Sequence, residues 1–156
     1  MKVEAAIMSL LEPLFEVLPL DQAMPDLVPT RPASQSAREV VAVLVETPEL
    51  VSRPLLAAAL WLYVDDIDRA HRLCQDDPSS LGSVWHGVVH RREGDFWNSR
   101  YWFRRIGTDS PADGAALARF VDLVETQAKA NPHDLVDEQR REWVGLFEVT
   151  ADRYPR

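Results

Sequence analysis

The chain is poor in cysteine and in basic charge. Its 156 residues include one cysteine, Cys74, so no internal disulfide can form, which fits a reducing cytoplasm. The 25 acidic residues outnumber the 17 lysines and arginines, and the formal net charge is −8. A general nucleic-acid-binding protein normally carries a basic stripe that replaces phosphate counterions. We therefore expect a cytoplasmic protein without a nucleic-acid partner.

Long apolar runs and the best-known catalytic motifs are also missing. No apolar run approaches the length of a bilayer-spanning helix, and Glu4 and Glu12 interrupt the N-terminal stretch where a secretory signal is apolar. We therefore expect no membrane association. The chain has no glycine-rich phosphate loop, no Gly-x-Ser-x-Gly elbow, no Cys-x-x-Cys pair and no fixed repeat. These absences disfavour nucleotide-dependent chemistry and solenoid architecture.

Apolar residues recur at helical spacing along the chain and predict an all-α fold. The length fits one domain over residues 1–156. We expect an irregular bundle of six to seven helices, with Pro13 kinking or splitting the first helix. The predicted helices span about residues 3–18, 36–46, 55–75, 83–93, 96–106, 110–128 and 132–150.

Local signals mark several boundaries of these helices. Four prolines near residues 19–35 predict an extended strap over the surface. Ser36 and Glu39 form a capping-box pattern for the second helix. Gly94 is expected to end the helix 83–93, and Asp95 to cap the helix that follows. Helix 55–75 is the predicted centre, with helices 83–93 and 96–106 packed against it.

The segment from Ser83 to Arg105 concentrates three tryptophans, two histidines and five arginines. On a helix, His86, His90 and Glu93 recur at i, i+4 and i+7 and share one face. Asp68 and His71, at i and i+3 on the predicted central helix, are expected to lie opposite them. The candidate catalytic residues are His86, His90, Glu93, His71 and Asp68.

The first functional hypothesis is metal-free general acid–base catalysis on an anionic small molecule, of elimination, lyase or isomerase type. Histidines titrate near neutral pH and can move protons, while a carboxylate orients them. Arginine forks can bind the anion, and aromatic rings can wall the pocket. The candidate binding residues are Arg91, Arg92, Trp97, Asn98, Tyr101, Arg104 and Arg105.

Two alternatives stay open. In the first, His86 and His90 bind a transition metal, with His71 or Asp68 as a further ligand. Glu93 is a poor ligand for the same ion as His86, because seven residues of helix separate their Cα atoms by about 10.5 Å. In the second, the polar residues are a structural network, and the protein is an interaction or chaperone-like module that stabilises a protein partner or forms a homodimer.

One extended pattern resembles a known protein family. It reads Asp65-x-x-Asp68-x-x-His71, followed by Gly82-Ser83-x-Trp85-His86-x-x-x-His90-Arg91-Arg92-Glu93-x-Asp95-x-x-Asn98-x-x-Tyr101-Trp102-Phe103-Arg104-Arg105. This pattern is similar to that of a family of small, uncharacterised helical proteins from bacteria and fungi. The similarity covers residues 60–107 and implies no particular activity.

Overall fold

The computed structural model describes residues 1–108 and 110–153, and all regular structure in these ranges is helical. The predicted all-α class is therefore confirmed; Asp109 and the last three positions of the predicted domain lie outside the described residues. None of the described helices has both the length and the apolar character of a membrane-spanning segment. The helices are α1 Ala5–Val17, α2 Gln35–Leu44, α3 Pro48–Val51, α4 Pro54–Tyr63, α5 Ile67–Cys74, α6 Ser80–Glu93, α7 Phe96–Phe103, α8 Gly114–Gln127 and α9 His133–Arg153.

The predicted helix 55–75 is two helices, α4 and α5. Asp65, between them, has a φ of 59°, in the left-handed region that a right-handed helix cannot accommodate. Asp66 then caps α5, because its carboxylate accepts a hydrogen bond from the Arg69 backbone N–H. This break and the short helix α3 raise the number of helices in the described ranges to nine, above the six to seven predicted.

Helix α4 forms the centre of the core. Every residue from Leu55 to Tyr63 is buried, as expected for a helix that is apolar on all sides. Helices α2, α3, α5, α6 and α9 pack around it. The indole of Trp143 on α9 donates a 2.9 Å hydrogen bond to the Ala59 carbonyl, and the Tyr63 hydroxyl donates to the Leu18 carbonyl at 2.6 Å. The predicted central position of this segment therefore holds for its first half.

Other helix boundaries differ from the predicted ones by a few residues. Helix α2 is capped by the Ser34 hydroxyl rather than by the predicted pair of Ser36 and Glu39. Pro13 lies inside α1, which continues as one helix. Helix α8 begins after Asp113, whose carboxylate accepts two backbone N–H groups, and not at residue 110. In each case a nearby polar side chain or the packing of the core, rather than the residue on which the prediction was based, determines where the helix begins or whether it continues.

The proline-rich segment between α1 and α2 is non-helical, as predicted, but it enters the core. Ala23, Met24 and Leu27 are fully buried. Side chains from α6, from α9 and from the residues before α9 bind its backbone: Arg92 and Gln139 donate to the Asp26 carbonyl at 3.1 Å each. The backbone carbonyls of Met24, Ala23 and Pro25 also accept hydrogen bonds, from the side chains of Gln139, Arg140 and Asn131 respectively. The strap is thus an integral part of the bundle, since its carbonyls find their partners there.

Candidate functional site

The connection between α6 and α7 folds the two helices against each other. Helix α6 ends at Gly94, whose φ of 80° is left-handed and whose N–H bonds the Arg91 carbonyl at 3.0 Å. Glycine adopts this conformation without strain. Asp95 follows at once and caps α7 by accepting the Asn98 N–H at 3.2 Å. Both predicted boundary residues are confirmed, and only two residues separate the helices.

Close packing between α6 and α7 then sets the position of Trp102. A Cβ added at Gly87 would come within 2.4 Å of the Phe103 ring, so only glycine allows this approach. The Ser99 hydroxyl donates a 2.7 Å hydrogen bond to the Gly87 carbonyl. As a result the Trp102 ring stacks on His86, with 4.1 Å between ring centroids.

Three histidines meet where α5 packs against α6. His71 comes from α5, and His86 and His90 lie one turn apart on α6. One ring nitrogen of each lies within 4.8 Å of the others, and the Nε2 atoms of His71 and His86 are 2.8 Å apart. The His86 and His90 rings are nearly parallel, while His71 meets both edge-on. We call these three residues the histidine cluster.

Glu93 supports the histidine cluster from the Nδ1 side. Its Oε1 lies 2.8 Å from His71 Nδ1 and its Oε2 lies 3.0 Å from His90 Nδ1, the second as an ion-pair contact rather than an aligned hydrogen bond. Burial alone would raise the pKa of Glu93, but the contacts with the two histidines outweigh it and lower this pKa. A carboxylate at Nδ1 keeps the proton on that nitrogen and leaves the Nε2 lone pair free.

His86 is the most buried member of the cluster. Its Nδ1 has no hydrogen-bond partner. Burial, and then the neighbouring His90 and His71, lower the pKa of His86 to about 4. The ring is therefore neutral near pH 7, and a neutral imidazole has a lone pair available for a proton or a metal ion.

The short contact between the two Nε2 atoms determines what the cluster can do. Two lone pairs 2.8 Å apart would repel each other, so a proton on one of the two Nε2 atoms makes this contact a hydrogen bond. A metal ion could take the place of that proton if the rings move apart by about 0.5 Å, because tetrahedral Zn²⁺ with bonds of about 2.0–2.1 Å separates its ligand nitrogens by about 3.3 Å. The cluster can thus either pass a proton or hold a cation.

Two of the predicted anion-binding arginines lie away from the histidine cluster. Arg91 is fully buried, forms two hydrogen bonds with the Glu142 carboxylate of α9 and stacks on Phe120. Arg92 is equally buried and bonds the Asp65 carboxylate at 2.5 Å. Both guanidinium groups are neutralised within the protein.

The other predicted binding residues lie on α7 or directly after it, and most of them are exposed. Asn98 is occupied at the cap, where its amide donates to the Asp95 carboxylate. Trp97 and Tyr101 are exposed and stacked, with 6.0 Å between ring centroids. Arg104 is exposed, and Arg105 donates a hydrogen bond to the Tyr101 hydroxyl at 3.2 Å.

Asp68 does not orient His71, because Glu93 holds that ring instead. Asp68 is exposed and has no hydrogen bond or ion pair with a described residue. It lines, together with Glu93, a polar cleft of about 480 Å³ beneath the strap. The sequence also gave no sign of the contact between Asp95 and His90, whose charged atoms are 3.8 Å apart. Asp95 was predicted only as the cap of the following helix.

Fold and site together define a small all-α protein with a histidine cluster backed by a glutamate. Comparison with protein-family models, with curated proteins and with solved structures finds no match to this chain. The chemistry of the cluster is therefore the basis for a functional proposal.

Proposed function

We propose that His71, His86 and His90 bind one divalent transition metal ion and that the protein is a metal-dependent enzyme. The observation that carries this proposal is the convergence of three ring nitrogens within 4.8 Å. Three protein ligands with an open position are the arrangement of catalytic zinc sites, whereas structural sites have four. This function replaces metal-free catalysis as the preferred hypothesis.

The environment of the cluster supports metal binding in two further ways. Glu93 contacts two of the three rings at Nδ1, which is the carboxylate–histidine arrangement that orients ligands in metal sites. Burial lowers the pKa of His86 to about 4, so the ring is neutral near pH 7 and metal binding at its Nε2 would require only that its one proton lie on Nδ1. A metal ion would therefore compete with few protons.

The donor set indicates the kind of metal and of reaction. Imidazole suits zinc, copper, iron and nickel, whereas magnesium and calcium prefer oxygen. Three neutral ligands leave the full charge of a divalent ion uncompensated, so it would act as a strong Lewis acid toward water or a carbonyl oxygen. We infer a reaction that adds or removes water, of hydrolase or lyase type.

Metal analysis of the purified protein tests the proposal. We expect one equivalent of a transition metal per chain by emission spectroscopy, and a lower melting temperature after dialysis against a chelator. His71→Ala and His90→Ala should abolish the bound metal. The matched control is His133→Ala, since His133 lies on α9 and its side chain is 86% exposed. A protein that folds normally but takes up neither zinc nor cobalt would overturn the proposal.

A metal-free acid–base centre is the second candidate function. It is favoured by the chain of contacts from Glu93 to His71 and on to His86, each 2.8 Å long. Such a chain can orient one imidazole and move a proton through it. In that case the chelator-treated protein would be stabilised by a member of a panel of anionic small molecules, and His86→Ala would abolish the stabilisation.

A further inference from the structure

We propose that the substrate carries a carboxylate or phosphate group that Arg105 binds, while the remainder of the substrate lies along Trp102 toward the histidine cluster. This inference rests on the proposed metal centre and names its substrate class. It is based on the alignment of the cluster, Trp102 and Arg105 along one side of α7.

The ring stack places Trp102 directly beside the histidine cluster. His86 stacks on His90 with 4.7 Å between ring centroids and on Trp102 with 4.1 Å. Trp102 has no ring contact with His90 or His71 among the described residues, so it covers the face of His86 that His90 leaves free. Trp102 is only partly buried, so its exposed part is the surface along which the proposed substrate would approach the cluster.

Arg105 is held in place beside Trp102. Its guanidinium carbon lies 5.6 Å from the Trp102 ring centroid and 5.4 Å from that of Tyr101. The hydrogen bond to the Tyr101 hydroxyl fixes it further. The contact with Tyr101 uses only one of the five N–H groups of the guanidinium, and the others can bind a carboxylate or phosphate with two parallel hydrogen bonds.

Arg105 forms no ion pair with any carboxylate of residues 1–108 or 110–153, unlike Arg91, Arg92 and Arg100. The preceding residue, Arg104, is also exposed and forms no ion pair within the same ranges. In a chain of net charge −8, this end of α7 is a local positive patch that attracts an anion.

The distances limit the size of the substrate. The guanidinium carbon of Arg105 lies 5.6 Å from the Trp102 ring centroid, which lies 4.1 Å from the His86 ring centroid. Arg105 is therefore at most about 9.7 Å from the His86 ring. A small organic acid or phosphate ester can span that distance with its reacting group at the metal. The stacked faces between the two ends favour a flat or extended connecting part.

The test uses the cobalt-loaded protein and two matched probes. Glutaric acid monohydroxamate carries a metal-binding hydroxamate and a distal carboxylate, whereas pentanohydroxamic acid has the same chain length without the carboxylate. Binding of each is followed by the visible spectrum of cobalt. We expect the charged probe to bind about tenfold more tightly, because hydrogen bonds to charged groups are stronger than neutral ones.

Two variants separate Arg105 from general charge effects. Arg105→Gln should make the affinities of the two probes about equal and leave that of the neutral probe unchanged, since only the charge-assisted contact is lost. Arg119→Gln should keep the preference, because Arg119 is exposed on α8 and has no contact with this site. Retention of the preference in Arg105→Gln would overturn the inference.

The outcomes distinguish this inference from the proposed function. A cobalt spectrum with equal affinities for the two probes would overturn the role of Arg105 and leave the metal centre intact. The absence of any cobalt spectrum would overturn the metal centre and the inference with it.

Discussion

Helix α6 carries two kinds of buried basic side chain, arginine and histidine, which differ in how they are paired with carboxylates. Arg91 and Arg92 are at most 1% exposed and each meets a carboxylate, Glu142 or Asp65. His86 and His90 are almost as buried, yet no carboxylate in the described ranges forms an ion pair with His86, whose Nε2 lies 2.8 Å from that of His71. Four basic residues within seven positions thus divide into two arginines that are each paired with a carboxylate and two histidines that pack against His71.

The difference follows from the protonation chemistry of the two side chains. Guanidinium is always charged, so its burial requires a counter-ion. Imidazole can be neutral, so burial lowers the pKa of His86 rather than demanding a carboxylate. The buried arginines thus hold helices together through their carboxylate partners, whereas neutral His86 keeps a lone pair that the proposed metal ion would use.

Replacement of Arg92 should have the largest effect. Arg92→Met leaves the Asp65 charge buried without a counter-ion, so we expect a loss of about 3–5 kcal/mol in the free energy of unfolding. Urea denaturation measures it. The double variant Arg92→Met/Asp65→Asn should recover much of the loss, because no charge then remains to be buried. A single-variant loss below about 1 kcal/mol would contradict the structural role.

Replacement of Gly87 should disturb the packing that positions Trp102. The added methyl group of Gly87→Ala would meet the Phe103 ring, at an expected cost of about 1–3 kcal/mol. The control is Gly145→Ala on α9, where nothing lies within 4 Å of the added Cβ. That substitution should stabilise the helix by about 0.5–1 kcal/mol. Equal melting temperatures for the two variants would refute the close approach of α6 and α7.

Replacement of Glu93 tests the support of the histidine cluster. Glu93→Gln should weaken zinc or cobalt binding about 10–100-fold by losing the carboxylate that orients the ligands, as measured by metal titration. The matched control is Asp68→Asn, since Asp68 is exposed and unpaired; its metal affinity should equal that of the wild type. Equal weakening in the two variants would indicate a general charge effect instead.

Replacement of Arg100 should have the smallest effect and completes the comparison of arginines. Arg100 on α7 pairs with Asp122 and Glu125 of α8, whose side chains are 64% and 47% exposed. Surface ion pairs contribute about 0–1 kcal/mol, so Arg100→Gln should barely change the urea midpoint. A loss in the free energy of unfolding comparable to that of Arg92→Met would show that the exposure of an ion pair does not determine its contribution to stability.

Much of the fold was predictable because its signals are local. Apolar periodicity predicted an all-α protein, and Gly94 and Asp95 were recognised as the end of α6 and the cap of α7. The break at Asp65 was not predictable, since an aspartate adopts a left-handed conformation only where its surroundings require it. Here the buried partner Arg92, 27 residues away, supplies that requirement.

The candidate residues of the site could be identified from the chain alone, because the i, i+4 spacing of His86 and His90 places them on one helix face. The role of each residue depends on contacts between helices that are distant in sequence. Packing of α5 on α6 brings His71 to His86 and Glu93, and docking of α9 gives Arg91 its partner Glu142, 51 residues away. Helical spacing is set by neighbouring bonds, whereas charge neutralisation is set by whichever carboxylate the packed core places within reach.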